Sequence, residues 1–279
     1  MTGKKKEKYS SKKHPVLEHI FHKYYYSKKP QKIIRFYLKD ISEGYKVNKI
    51  SEPASISNTI LDLTRQDRGI SSRLPKSILS LGYDLRKKTG QDKEGHKYAG
   101  EFVFVGVGGV LKSWLAWPDG IEVVTIDSTP LPSSVASLIR PDEAGLFSVI
   151  DYVDIFSKIL HSGQRTIYRV QNPMKWQPNE IDGFYVSQVG AEIDLYPVEA
   201  KALTTGDEIN LDQLRGGFET VVKQMKRIGL NANIQQIAIK MIENGINIAV
   251  FPMNQVPVTP EKYYTVKFNP VIHNWCKKE

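Results

Sequence analysis

The order of secondary-structure patterns in residues 142–251 restricts the fold of this chain more than any other feature. A helix pattern opens at Pro141-Asp142-Glu143 and ends at Gly163, and the clearest amphipathic helix covers Asn210–Ile228. The strand patterns lie at Arg165–Val170, in two halves of Asn179–Ala202, at Ile234–Ile242 and at Ile246–Phe251. Helix, three strands, helix and two strands in this order predict an α/β (α+β) fold.

The bulk composition describes a globular chain without export signals. Its 279 residues suffice for one large domain or two smaller ones. No apolar run approaches the roughly 18–20 residues that cross a bilayer, and the segment MTGKKKEKYSSKK lacks the apolar stretch of a secretory signal. The single cysteine, Cys276, excludes an intramolecular disulfide and fits a reducing compartment. We therefore expect a cytoplasmic protein with no membrane partner.

The positive charge is concentrated at the front of the chain. Residues 1–90 carry 21 Lys and Arg against 8 Asp and Glu, whereas the remainder carries 18 against 22. A basic part joined to an acidic part indicates one region that binds a polyanion and another that holds cations. Nucleic acid is favoured over its competitor, an anionic membrane surface, as the partner of the basic part.

Three segments follow from charge and loop signals. Residues 1–13, with six lysines, predict a disordered basic tail, residues 14–135 a basic recognition region, and residues 136–279 a second domain that begins after the loop at Pro130–Ser134. A helix with Ile56 and Ile60, followed by one that starts at Pro75 and turns Leu85 inward, has the outline of a helix-turn-helix. Two ordinary amphipathic helices explain the pattern equally well. The candidate DNA contacts here are Arg65, Arg68, Arg73 and Lys76.

The hairpin Asn179–Ala202 carries the chemistry-bearing residues. Glu199 and Lys201 are two apart on a strand and therefore face the same way. A turn near residues 189–191 brings Asp182 opposite either Val198 or Glu199, about 5 Å across the ladder. Two carboxylates beside an ammonium suit Mg²⁺-dependent attack on a phosphodiester. The lysine would orient or deprotonate the attacking water, its pKa lowered by desolvation, or stabilise the phosphate charge.

The specificity of this pattern comes from its position. Glu199-Ala-Lys201 is the only triplet of the sequence in which an acidic residue precedes a lysine by two positions, and it ends an otherwise apolar strand. Charged residues are rarely buried unless paired, so a purely structural ion pair is the alternative reading. Asp194 lies five residues before Glu199 and points to the opposite face, about 16 Å away, which excludes a shared metal.

Residues 142–251 resemble the PD-(D/E)XK nuclease superfamily. The resemblance rests on Asp182, on Glu199-x-Lys201 in the next strand and on the amphipathic helix that follows. Ile181 stands where that motif has proline. The resemblance implies a restriction-endonuclease-like core with a mixed central sheet flanked by helices. It implies Asp182, Glu199 and the Ala200 carbonyl as Mg²⁺ ligands and Lys201 as the catalytic lysine. It also places Gln213 beside the site, and an acidic residue of the preceding helix would be Glu143, Asp151 or Asp154. Independently of the resemblance, Glu180 shares the strand face of Asp182 and is either a neighbour of the site or a solvent-facing residue.

The function expected from this resemblance is Mg²⁺-dependent hydrolysis of double-stranded DNA, most like a type II restriction enzyme in a bacterial or archaeal cytoplasm. A homodimer would place one active centre on each strand of a symmetric site. A structure-specific repair or recombination nuclease is the first alternative. A DNA-binding regulator without enzymatic activity is the second alternative, in which the hairpin is structural.

Overall fold

The computed structural model describes residues 12–56, 58–64, 74–88, 90–109, 111, 114–161, 163–171, 173–177, 179–203 and 208–275. The chain divides into two compact units, Met1–Ser113 and Trp114–Glu279. The division precedes the 135/136 boundary expected from the sequence, because Glu122–Asp127 pairs in parallel with Lys262–Asn269 and so joins the second sheet. Most of the expected basic tail lies outside the described residues, as do Arg65, Arg68, Arg73 and Cys276.

The first unit is built on a three-stranded antiparallel sheet of order β1-β3-β2. Phe21 of the first helix packs edge-on against Tyr83 and Phe102 of the sheet, and all three side chains are buried. The elements are α1 (His14–Tyr24), β1 (Ile33–Tyr37), α2 (Leu38–Val47), α3 (Asn58–Leu63), α4 (Lys76–Leu79), β2 (Tyr83–Lys87) and β3 (Tyr98–Phe104).

The prediction of a second helix in a helix-turn-helix is wrong beyond the first helical turn. α4 ends at Leu79, Gly82 takes a positive φ of 80°, and the chain continues as β2. Leu85, expected on the inner face of a helix, pairs with Phe102 of β3 and is buried there. Strand pairing has overridden the helical spacing of the apolar residues. Lys76, a candidate DNA contact, is exposed on α4.

The second unit is mixed α/β, as predicted, with a mixed sheet flanked by helices. Its elements are β4 (Glu122–Asp127), α5 (Ser133–Leu138), α6 (Glu143–Tyr152), α7 (Ile155–His161), β5 (Tyr168–Gln171), β6 (Gly183–Val189), β7 (Glu192–Lys201), α8 (Leu211–Ile228), β8 (Asn233–Ile234), β9 (Ile237–Ile242), β10 (Gly245–Val250), β11 (Lys262–Asn269) and a 3-10 turn at His273–Trp275. The strand order is β4-β11-β10-β9-β7-β6-β5, with β8 beside β7. The pairs β4/β11, β7/β9 and β7/β8 are parallel, and the other pairs are antiparallel.

Helices cover the two faces of this sheet around β7. Val198 and Ala200 turn toward Leu146 and Phe147 of α6, whereas Leu195 packs with Phe218 of α8 on the other face. The single helix expected from Asp142 to Gly163 is interrupted between α6 and α7, where Asp154 takes a positive φ of 51°. No helix of the described segments combines the length and apolar character that a membrane crossing requires.

Candidate active site

The β6–β7 hairpin aligns Asp182 with Glu199. The antiparallel register pairs Gly183 with Val198 and Val189 with Glu192, so the residue before β6 faces Glu199. The sequence left two registers open, with Asp182 opposite Val198 or opposite Glu199, and the structure has the one with Glu199. Gly190 in the connecting turn has a φ of 59°, a backbone conformation that glycine adopts without a steric penalty.

Hydrogen bonds hold the Ala200 peptide between the three candidate residues. Oδ2 of Asp182 accepts the backbone N–H of Ala200 at 2.9 Å. Nζ of Lys201 donates to Oε1 of Glu199 at 2.6 Å and to the carbonyl oxygen of Ala200 at 3.0 Å. The two carboxylates, the ammonium and the carbonyl expected from the sequence thus meet at one place, the end of β7.

Burial and mutual repulsion shift the protonation equilibria of both carboxyl groups. Glu199 is 6% exposed, and desolvation together with the charge of Asp182 raises its pKa to about 7. Desolvation also raises the pKa of Asp182, against the opposing effects of Lys201 and the Ala200 amide. Desolvation lowers the pKa of Lys201, but the carboxylates around it outweigh that effect and the net shift is upward. Lys201 therefore carries its charge at neutral pH, which favours phosphate stabilisation over a role as base in this state.

Glu143 is the acidic residue of α6 that acts on the site. Its charge contributes to the raised pKa of Glu199 and of Lys201. Asp151, near the other end of α6, is held by Arg169 at 2.7 Å and by the hydroxyl of Tyr185 at 3.0 Å. Asp154 is exposed between α6 and α7. Of the three alternatives offered by the sequence, Glu143 is the one whose charge acts on Glu199 and Lys201.

The remaining candidates differ in their relation to the site. Glu180 is exposed, yet its charge raises the pKa of Asp182, so it lies within electrostatic range. Gln213 is exposed on the first turn of α8 and shows no described contact with the three central residues. Asp194 is buried on β7, where it binds Arg165 at 3.0 Å and Asn233 at 2.8 Å. These partners give Asp194 a structural role.

The donor set at the end of β7 fits a hard divalent cation. The carboxyl groups of Asp182 and Glu199 meet the ammonium of Lys201 there, and the charge of Glu143 also acts on Glu199 and Lys201. Carboxylate and backbone carbonyl oxygens are the ligands that Mg²⁺ prefers, and a cation would relieve the repulsion that raises the carboxyl pKa values. Asp182, Glu199 and the carbonyl of Ala200 are the residues that would hold it.

A second group of metal-ligating side chains lies in the first unit. Among the described residues, Asp92, Glu94 and His96 are the three that bring ligand atoms within 4.8 Å of one another. They sit in the loop between β2 and β3. Oδ1 of Asp92 accepts the backbone N–H groups of Glu94 and His96, both at 2.9 Å, so turn formation accounts for this carboxylate.

Sequence reasoning did not single out Lys240. It pairs in register with Lys201 across the parallel strands β7 and β9. The signal was present, because Lys240 interrupts the apolar run IAIKMI as Glu199 and Lys201 interrupt theirs.

No protein-family model matches this chain, and neither a curated protein nor a solved structure matches it.

Proposed function

We propose that the protein is a Mg²⁺-dependent endonuclease that hydrolyses phosphodiester bonds of double-stranded DNA. The observation that carries the proposal is the meeting of Asp182, Glu199 and Lys201 around the Ala200 peptide. A structural ion pair explains Glu199 with Lys201, but it gives no reason for a second, partly buried carboxylate, that of Asp182, beside them. Such a cluster costs stability in the absence of a cation, which is typical of a functional site.

Each residue has a defined task in this reaction. Asp182 and Glu199 bind the cation, with the Asp182–Ala200 hydrogen bond fixing one carboxylate relative to the strand. Mg²⁺ supplies electrostatic activation of water and of the phosphate. Lys201, protonated at neutral pH, places its charge against the non-bridging phosphate oxygens. Glu143 adds negative charge and so strengthens cation binding.

The order of elements in the second unit supports a restriction-endonuclease-like core. α6 and α7 precede the antiparallel strands β5, β6 and β7, and α8 leads into β9, which is parallel to β7. This order agrees with the resemblance to the PD-(D/E)XK superfamily, in which two adjacent strands carry the acidic residues and the lysine. Within that proposal a homodimeric type II restriction enzyme is the reading that best uses the basic first unit.

The test is incubation of the purified protein with plasmid and phage DNA, with Mg²⁺ or with a chelator, beside Lys201→Ala. Lys223→Ala is the matched control, since Lys223 is exposed on α8. We expect discrete bands with Mg²⁺ for the wild type and the control and none for Lys201→Ala. Cleavage retained by Lys201→Ala would refute the site.

The DNA substrate separates the alternative functions. Cutting restricted to branched or flapped DNA would favour the repair or recombination nuclease over the restriction enzyme. DNA binding without Mg²⁺, with no nicking of any substrate, would refute the enzymatic proposal and favour the regulator.

A further inference from the structure

A row of polar side chains continues from the candidate active site across the sheet. The register of β7 with β9 pairs Lys201 with Lys240, that of β9 with β10 pairs Lys240 with Asn247, and that of β10 with β11 pairs Asn247 with Thr265. Paired residues of adjacent strands lie on the same face. Neighbouring strands are about 4.8 Å apart, so the row extends about 14 Å from the catalytic lysine.

The row lies at the border of the covered part of this face. The neighbouring positions of β9 and β10 on the same face, Ala238 and Ala249, are fully buried and pack with Leu211 and Leu214 of α8. Lys240, Asn247 and Thr265 are partly exposed. Polar residues replace apolar ones where the cover ends, so solvent and a ligand can reach these side chains.

The chemistry of the row fits a phosphodiester. Lys240 supplies a cation whose side chain is 20% exposed, and Nζ donates to Oε1 of Glu208 in a short contact. The hydroxyl of Thr265 donates to Oδ1 of Asn247 at 2.9 Å, which turns the Nδ2 donor of Asn247 away from that bond. Lys267, two residues beyond Thr265 on the same face, adds a second ammonium. Ammonium, amide and hydroxyl donors are the groups that contact phosphate in protein–DNA complexes.

We propose that Lys240, Asn247 and Thr265 form a second phosphate-binding subsite, which holds the backbone of the DNA strand next to the scissile phosphate at Lys201. The inference rests on the proposed function. In the free protein the Lys240 ammonium is paired with the carboxylate of Glu208. When DNA binds, Lys240 leaves Glu208 and contacts the phosphate. The subsite positions the strand by charge and donors alone and reads no base.

The test measures binding separately from cleavage. Full-length protein is titrated into a labelled duplex in the presence of a chelator. The titration is repeated at salt concentrations from about 50 to about 200 mM, a range over which phosphate contacts strongly change the affinity. We expect Lys240→Gln to weaken binding about tenfold, the size of one charge-assisted hydrogen bond, and to reduce the slope of log K against log salt by about 0.9. Lys223→Ala, on the exposed face of α8, is the control for loss of one positive charge.

Two further variants examine the neutral donors and the carboxylate. The double variant Asn247→Ala/Thr265→Ala should weaken binding while leaving the salt slope unchanged, because neutral donors release no counterion. Glu208→Gln should strengthen binding, since Lys240 no longer has to leave a carboxylate. Melting temperatures identify variants that fail to fold, and Lys240→Arg preserves the charge where the glutamine does not fold.

The outcomes distinguish this inference from the proposed function. A wild type that cuts DNA while Lys240→Gln and Lys223→Ala have the same affinity and salt slope would refute the subsite alone. A wild type that neither binds nor cuts DNA would refute both. A salt slope that is reduced for Lys240→Gln and stays at the wild-type value for Lys223→Ala supports the subsite.

Discussion

The carboxylate of Asp182 and the backbone amide of Ala200 are joined by a hydrogen bond of 2.9 Å that links the start of β6 to the end of β7. The acceptor in this bond is Oδ2 of Asp182. The bond also fixes the peptide whose carbonyl is the third expected metal ligand. One interaction therefore sets the relative position of two ligands that lie on different strands.

The first prediction follows from this double use of Asp182. Asp182→Asn keeps an oxygen that can accept the Ala200 amide hydrogen but removes the negative charge. We expect the melting temperature of the metal-free protein to stay the same or rise, since a desolvated charge is lost. The cleavage rate with Mg²⁺ should fall at least about 10²–10³-fold, the loss seen when one preorganised electrostatic group is removed.

Asp194→Asn is the matched control for that prediction. Asp194 is buried on β7, where its partners are Arg165 and Asn233. The substitution should lower stability and leave Mg²⁺-dependent cleavage by the folded fraction unchanged. Loss of cleavage in both variants with no loss in stability would contradict the assignment.

The second prediction separates the acidic residues of α6. Glu143→Gln should weaken Mg²⁺ activation about 10–100-fold, the usual cost of removing a group that supports metal ligands. Asp154→Asn, exposed beyond the same helix, should leave the Mg²⁺ dependence at the wild-type value. The measurement is the cleavage rate as a function of Mg²⁺ concentration. Equal curves for the two variants would remove Glu143 from the site.

Part of this site could be predicted from local pattern because strand geometry is local. Alternation on β7 put Glu199 and Lys201 on one face, and the turn position restricted Asp182 to two registers. The pairing of Gly183 with Val198 in the structure selects the register in which Asp182 lies opposite Glu199. The choice of Glu143 needed the packing of α6 on the sheet, which no spacing in the sequence fixes. Lys240 was missed for the same reason, since its neighbour Lys201 is 39 residues away in the chain.

The first unit shows where pattern reasoning failed. Ile78, Leu79 and Leu85 recur at helical spacing, yet Leu85 lies on a strand paired with β3. Short apolar runs satisfy both periods, and the pairing partner decides between them. The β3 partner begins at Tyr98, directly after a stretch rich in glycine and charged residues that is typical of a loop. Long-range pairing of this kind leaves little trace in a short window of sequence.

The third prediction concerns the packing of α6 on β6. A Cβ added at Gly183 would lie 2.4 Å from the ring of Phe147, so α6 can approach β6 only at a glycine. Gly183→Ala should destabilise the protein by about 1–3 kcal/mol, the usual cost of overpacking. It should also reduce cleavage by moving α6, and with it Glu143, away from Glu199 and Lys201. Urea unfolding measures the first effect and a plasmid assay the second.

Two comparisons make that result specific. Phe147→Leu combined with Gly183→Ala should recover part of the stability, because the smaller side chain makes room for the methyl group. Gly217→Ala, inside α8 with no atom closer than 3.9 Å to the added Cβ, should stabilise by about 0.5–1 kcal/mol. A Gly183→Ala variant as stable as the wild type would contradict the close approach.

The fourth prediction is a pH dependence of the metal-free protein. The pKa of Glu199 is raised from its ordinary value of 4.5 to about 7, so the folded state binds this proton more tightly than the unfolded state. The stabilisation is complete below about pH 4.5 and is lost as the pH rises through about 7. The raised pKa corresponds to a loss on the order of 3 kcal/mol by pH 8, which thermal unfolding between pH 5 and 8 would detect.

Mg²⁺ should reverse this trend because it binds the deprotonated carboxylates. The rise in melting temperature on adding Mg²⁺ should be larger at pH 8 than at pH 6, where protons compete with the metal for Glu199. Glu199→Gln should flatten the pH dependence and abolish most of the Mg²⁺ effect. If the wild type and Glu199→Gln lose stability in parallel from pH 5 to 8, the trend arises from other groups, and Glu199 does not carry the proton assigned to it.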